Sequence, residues 1–340
     1  MPGCRIYSKG KHFCFTLWEL TPGNNGMIRG VPMSRALDNQ EAILCGRFVN
    51  TAYAMFKRDP TLLRPEPAPG DIPAPYELVA WLNMSDFIFW WRETPKFYGF
   101  IARHQQQKHN FVLAIRGTEG WVEWLDDAMA RLVLFRQVPH AGRVAHGFDK
   151  IYSTLKVVKR HADVGVVPAA KPSAAPAAAP EVMAGSFAEQ LEQLADTLEE
   201  PTVQEQMRIA KEKRPRRSFV VTGHSLGSAL ATLFVMENKE KNKFDISTIC
   251  TFASPRVGNA EFVRQFNLLP LDSWRIVNCQ DVVPKLPLHI PVLFDYEHVA
   301  TPYAFSSEGA VKWNPGCWHA MSTYLHWLDP TIGVDAECKR

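Results

Sequence analysis

The chain has 340 residues, 46% apolar and 21% charged. That length fits two small domains or one large α/β domain at roughly 100–200 residues each, and that composition excludes wholesale disorder, collagen-like repeats and coiled coils. The 38 basic and 35 acidic residues leave a formal charge of +3, so no global field draws the protein to nucleic acid or to an anionic membrane.

Near the N-terminus the apolar cluster at residues 13–17 is too short for the core of a signal peptide. No uninterrupted apolar stretch reaches the ~18 residues of a membrane helix. The richest stretch, 76–91, is broken by Asn83, Ser85 and Asp86. The expected location is cytoplasmic, with export left open. The seven cysteines (Cys4, Cys14, Cys45, Cys250, Cys279, Cys317 and Cys338) form no CxxC pair and are odd in number. That spacing argues against a zinc ribbon or a thioredoxin-like site, and reduced thiols are expected.

In chain order, residues 35–58 carry apolar side chains at helical spacing until Asp59-Pro60 stops the pattern. Residues 59–75, with Pro60, Pro65, Pro67, Pro69, Pro73 and Pro75, read as an irregular loop. Residues 96–104 and 110–117 read as strands. The low-complexity run 166–180 repeats proline at 168, 172, 176 and 180 and reads as an exposed linker. Phe187, Leu191, Leu194 and Leu198 then resume a helical period. The basic run 211–217 reads as a solvated connector. The second half alternates strand 218–223, helix 225–241, strand 245–255, helix 258–269 and strand 273–281. Alternation of this kind predicts a mostly parallel central sheet with helices on both faces.

The sharpest local signal is Gly223-His224-Ser225-Leu226-Gly227, a GxSxG between a predicted strand and a predicted helix. In that context the motif marks a nucleophile elbow, a strained turn that exposes a serine hydroxyl. The helix then passes so close to the strand that positions 223 and 227 have no room for a side chain. Its N-terminus supplies N–H groups and partial positive charge where an oxyanion would form. A glycine-rich turn with a serine cap is the bland alternative.

A serine hydroxyl needs a base, and the base needs an orienting acid. Asp281 closes a predicted strand, at the edge where α/β sheets place their sites. Asp245 and Asp272 precede strands and belong on the opposite edge, and Asp295 is the runner-up. His289, His298, His319 and His326 are the candidate bases. A loop position before a helix favours His319 only slightly over His326.

Residues 222–231, 251–259 and 277–287 together resemble successive blocks of the class 3 lipases, the fungal-type triacylglycerol lipases. Residues 114–118 with Trp124-Leu125-Asp126-Asp127, 144–152, 296–300 and 319–325 resemble further blocks in the family's order. The resemblance spans about residues 35–330. It implies an α/β-hydrolase fold, with residues 1–34 as an N-terminal extension and 331–340 as a C-terminal tail. It also implies Ser225, Asp281 and His319 as catalytic triad, with Thr118 and Leu226 as oxyanion-hole donors. The activity implied is lipid-ester hydrolysis, triacylglycerol lipase first and phospholipase or a monoacylglycerol or feruloyl-type esterase as alternatives. The implied substrate partner is an acylglycerol or other lipid ester, met at a lipid–water interface, and no cofactor or metal is expected. Residues 119–135 would begin a lid, with Trp121, Trp124, Leu125 and Met129 on its apolar face, the alternative being a surface helix with its tryptophans packed on the core. Two features depart from the family: Ser228 where glycine is usual, and an Ala/Pro-rich and helical insertion at about 162–215. A non-catalytic lipid-binding protein of the same fold would carry damage to the triad or oxyanion loop, and all parts are present.

Overall fold

The computed structural model describes residues 35–86, 94–118, 131–160, 181–198, 216–288 and 295–340, and the backbone of two short paired strands, β1 (Arg5–Ile6) and β2 (His12–Phe13). Helix α1 (Asn39–Arg58) starts where the Asp38 carboxylate accepts the N–H groups of Gln40 and Glu41, and it ends at Asp59-Pro60. Strands β3 (Tyr76–Asp86), β4 (Thr94–His104) and β5 (Asn110–Ile115) follow. A short hairpin, β6 (Leu132–Leu134) with β7 (Arg143–Ala145), leads into α2 (His146–Tyr152), β8 (Lys156–Lys159) and α3 (Phe187–Thr197). The regular half then runs β9 (Ser218–His224), α4 (Leu226–Lys241), β10 (Asp245–Phe252), α5 (Ala260–Asn267), β11 (Asp272–Asn278) and β12 (Thr301–Phe305). Helices α6 (Pro315–His319) and α7 (Met321–Leu328) complete it.

An eight-stranded sheet in the order β12-β11-β10-β9-β5-β4-β3-β8 organises the molecule. Strands β5, β9, β10, β11 and β12 run parallel; β4, β3 and β8 add antiparallel neighbours on one side. Helices cover both faces, as alternation in the sequence predicts. On one face Phe219 and Val221 of β9 pack with α2, α3 and α4. On the other, Val220 meets α1, together with Cys250, Phe252 and Ala114 of the neighbouring strands. Alternate residues of one strand thus feed opposite layers of the core. Phe219 lies at the centre of the first layer, stacked on Phe111 at 5.1 Å and edge-on to Phe234 and Phe244 at 6.2 and 4.7 Å.

The basic connector meets carboxylates where it enters β9: Arg217 pairs with Asp196 at 2.6 Å and Arg216 with Asp245 at 3.0 Å. The expectation of reduced thiols is corrected at one pair. Cys317 and Cys338 form a disulfide with Cα atoms 5.3 Å apart, inside a small buried cluster with Val311. A spacing of 21 residues carries no pairing signal in sequence, because the C-terminal tail is brought onto α6 only by folding. Cys45 and Cys250 are buried thiols outside any disulfide.

Deleting the ring of Phe219 removes contacts with three aromatic partners in a layer that has little room to collapse. Phe219→Ala is expected to cost about 3–5 kcal/mol of stability, measured as a lowered urea midpoint with an unchanged m-value.

Candidate active site

Three side chains singled out in the sequence lie beyond the C-terminal ends of parallel strands. Ser225 joins β9 to α4, Asp281 follows β11, and His319 closes α6 after β12. All are buried: Ser225 is 2% exposed, Asp281 1% and His319 5%.

Ser225 has φ 56° and ψ −125°, a conformation that costs a side-chain-bearing residue of order 1–3 kcal/mol. Close packing enforces it. A Cβ on Gly223 would come within 2.4 Å of the Gly227 carbonyl oxygen, and one on Gly227 within 2.2 Å of the Ile115 carbonyl oxygen. The Ser225 N–H donates to the Phe252 carbonyl at 2.9 Å, tying the turn to β10. Ser228, where the family usually has glycine, fits this packing. Its hydroxyl lies 2.7 Å from the Gly223 carbonyl and 2.8 Å from that of Phe252, and so fastens the same turn. Leu226 is the first residue of α4, one of the positions whose N–H has no acceptor four residues back in the helix.

The His319 Nδ1 lies 2.7 Å from Asp281 Oδ2. The same oxygen accepts from the Tyr324 hydroxyl at 2.7 Å, and Oδ1 accepts from the Val283 N–H at 3.0 Å. Burial, and then the Asp281 charge, push the Tyr324 phenol well above its ordinary value, so it stays a donor. A carboxylate facing Nδ1 fixes the proton there and leaves Nε2 as the acceptor. The His319 ring stands 4.5 Å from the ring of His224, the residue directly before Ser225.

Four of the rival candidates are engaged elsewhere. Asp245 and Asp272 open β10 and β11 on the opposite edge, Asp245 pairing with Arg216 and Asp272 with Arg35. His298 Nε2 lies 2.6 Å from the Pro284 carbonyl, and His326 Nδ1 2.7 Å from that of Ile332. His289 and the predicted lid residues Trp121, Trp124, Leu125 and Met129 lie outside the described residues.

Thr118 is 9% exposed and follows Gly117, where a Cβ would stand 2.8 Å from that of Ser225. The segment is gripped from behind by Arg116, which sequence reasoning left unassigned. Its guanidinium lies 3.5 Å from the ring centre of Phe56 and 4.2 Å from that of Tyr98. It donates to the Phe97 carbonyl at 2.7 and 3.0 Å and to the Gly117 carbonyl at 2.7 Å. In a planar trans peptide the C=O and the next N–H point in opposite directions. Fixing the Gly117 carbonyl therefore fixes the direction of the Thr118 N–H. Sequence adjacency to Gly117-Thr118 was the available signal; the two rings around Arg116 come from distant elements.

A serine on a strained strand–helix turn in a mostly parallel sheet, with a carboxylate–histidine pair on later segments of the same edge, defines an α/β-hydrolase. The chain belongs to the class 3 lipase family, whose model matches residues 112–290, just over half of its length. Among relatives, it is 26% identical to phospholipase A1-II 1 of Oryza sativa subsp. indica over 73% of this chain and 59% of that protein. It is 39% identical to secreted mono- and diacylglycerol lipase 1 of Fusarium solani, over 28% of this chain and 27% of that protein. The chain thus spans about three-fifths of the rice relative's length. A solved lipase from Rhizopus microsporus var. chinensis is 20% identical, with a TM-score of 0.47 over 86% of this chain and 84% of that one.

Two outcomes are expected. Tyr324→Phe removes a donor from a buried carboxylate and should cost about 1.5–3 kcal/mol, read by chemical denaturation. Burial first, and His319 second, hold the His224 imidazole well below its ordinary 6.5. The unfolded chain then binds the extra proton, so stability is full above about pH 6.5 and falls as pH drops toward the folded value. His224→Gln should flatten this slope by up to about 1.4 kcal/mol per pH unit, measured as unfolding free energy between pH 7 and 5.

Proposed function

We propose that the protein is a serine carboxylic-ester hydrolase acting on lipid esters, with triacylglycerol as its substrate class. One observation carries this reading: the Asp281–His319 pair at 2.7 Å, with its imidazole 4.5 Å from the ring of His224, the residue that leads into a strained serine on a strand–helix turn. A surface ion pair or a structural histidine has no need of such a neighbour.

In the proposed reaction His319 Nε2 takes the proton of the Ser225 hydroxyl as its oxygen attacks the ester carbonyl. The carbonyl π-bond opens to an oxyanion, received by the N–H groups of Thr118 and Leu226. Asp281 stabilises the imidazolium. His319 then protonates the departing alkoxide, the tetrahedral intermediate collapses, and an acyl-serine remains. Water, deprotonated by the same imidazole, attacks that acyl group; the acid leaves and Ser225 regains its proton. Removal of one oxyanion donor typically costs ~3–4 kcal/mol of transition-state stabilisation, so the grip of Arg116 on the Gly117 peptide is worth keeping rigid.

A second reading is phospholipase A1 activity, favoured by relatives that carry that name over most of this chain. Fatty-acid release from emulsified trioctanoin and from phosphatidylcholine vesicles, measured side by side, separates the two. Faster release from trioctanoin is the expected result.

The serine assignment has its own check. Ser225→Ala should lower hydrolysis of p-nitrophenyl esters by about 10⁴-fold or more and abolish labelling by a fluorophosphonate. Full activity in that variant would overturn the mechanism.

A further inference from the structure

The three segments that meet at Ser225 come from distant parts of the chain, yet one line of hydrogen bonds crosses all of them. The Gly117 N–H donates to the Tyr53 hydroxyl at 2.8 Å. Tyr53 Oη lies 2.8 Å from His224 Nδ1, and His224 Nε2 lies 2.8 Å from the main-chain carbonyl of His319. Donor chemistry fixes the direction of every link. Gly117 can only donate, so the Tyr53 oxygen accepts there and its own proton is directed to His224 Nδ1. The His319 carbonyl can only accept, so His224 carries its proton on Nε2. The whole line is satisfied with a neutral imidazole, and burial of the ring favours that neutral form.

We propose that Tyr53 and His224 are positioning residues, which set the oxyanion segment and the catalytic base in register with the nucleophile. Tyr53 sits on α1, on the cover of the sheet rather than at its edge, and the two rings meet edge-on at 5.6 Å. A Cβ on Gly117 would lie 2.6 Å from the Tyr53 hydroxyl oxygen and 3.1 Å from the His224 carbonyl oxygen. The three pieces are thus in van der Waals contact as well as hydrogen-bonded, and a shift of one is carried to the others. His224 holds the main chain of His319 while Asp281 holds its ring, so the base is fixed at two points. Neither positioning group is given contact with the ester or a share of its protons. Their effect passes through Gly117-Thr118 and His319 alone.

This inference rests on the serine mechanism above, and its test separates the two. Four variants are compared: Ser225→Ala, Tyr53→Phe, His224→Leu and His224→Gln. For the Tyr53 and His224 variants turnover is expressed per serine titrated with a fluorophosphonate, so that misfolded protein does not count, and for Ser225→Ala per mole of folded protein. Tyr53→Phe removes one oxygen and nothing else. It should lower kcat about tenfold with KM changed less than twofold, since the register matters where charge develops rather than where substrate binds. Affinity for an alkylboronic acid, which forms a tetrahedral anion on the serine, should fall by the same factor as kcat/KM. His224→Leu should lose at least as much. His224→Gln, which keeps an N–H near the position of Nε2, should recover part of that loss. A purely structural role predicts a lower thermal midpoint with wild-type kcat and boronate affinity per titrated serine, and that result overturns the proposal. If His224→Leu fails to fold, Tyr53→Phe alone decides. Activity retained by Ser225→Ala would instead sink the mechanism itself.

Discussion

One backbone geometry governs the rest: Ser225 is held with a positive φ at the turn from β9 into α4. The turn reverses the chain so sharply that α4 lies against the strand it has just left. Contact at that distance excludes side chains at 223 and 227. It also buries the first half of the helix completely, with Ser228, Ala229 and Ala231 keeping it narrow. The strain is offset by fastening the turn to its neighbours. The Ser225 N–H and the Ser228 hydroxyl both reach the Phe252 carbonyl of β10. A sheet interior makes such an arrangement stable, because β9 and β10 are each hydrogen-bonded to a strand on both sides.

The proposed triad and two ion pairs occupy opposite edges of that sheet. Past the C-terminal ends of β9, β11 and β12 stand the serine, the carboxylate and the imidazole. At the N-terminal ends, Asp245 and Asp272 pair with Arg216 and Arg35. Three aspartates thus meet different partners according to which end of a strand they occupy, an asymmetry inherent in parallel strands.

The regular half of the fold was legible in the sequence because strand and helix periods alternate there without interruption. Strand β9, helix α4 and strand β10 fall within a few residues of their predicted bounds. Strand β12 escaped notice because it is short and carries Pro302, which is tolerated only because this strand lies at the sheet edge. Strand β8 has four residues, too few for a period to show. Position and family pattern singled out Asp281 and His319, and the fold brings these two side chains together. Tyr53, Arg116 and His224 were not assigned roles, since each acts on partners brought near only by the tertiary fold; Tyr53 and His224 are 171 residues apart. The Cys317–Cys338 bond is of the same kind: its partners are chosen by where the tail lands, and spacing alone is silent on that.

The enclosure of Arg116 has one more consequence. Ion pairs on the surface, such as Arg264 with Glu261, face solvent and weaken as mobile ions crowd around them. Arg116 is 1% exposed, and its charge is answered by carbonyl dipoles and two π faces that dissolved ions do not reach. The grip on the peptide behind Thr118 therefore responds to brine or fresh water less than those rim pairs do, and a deeply buried cation goes on holding one peptide plane still.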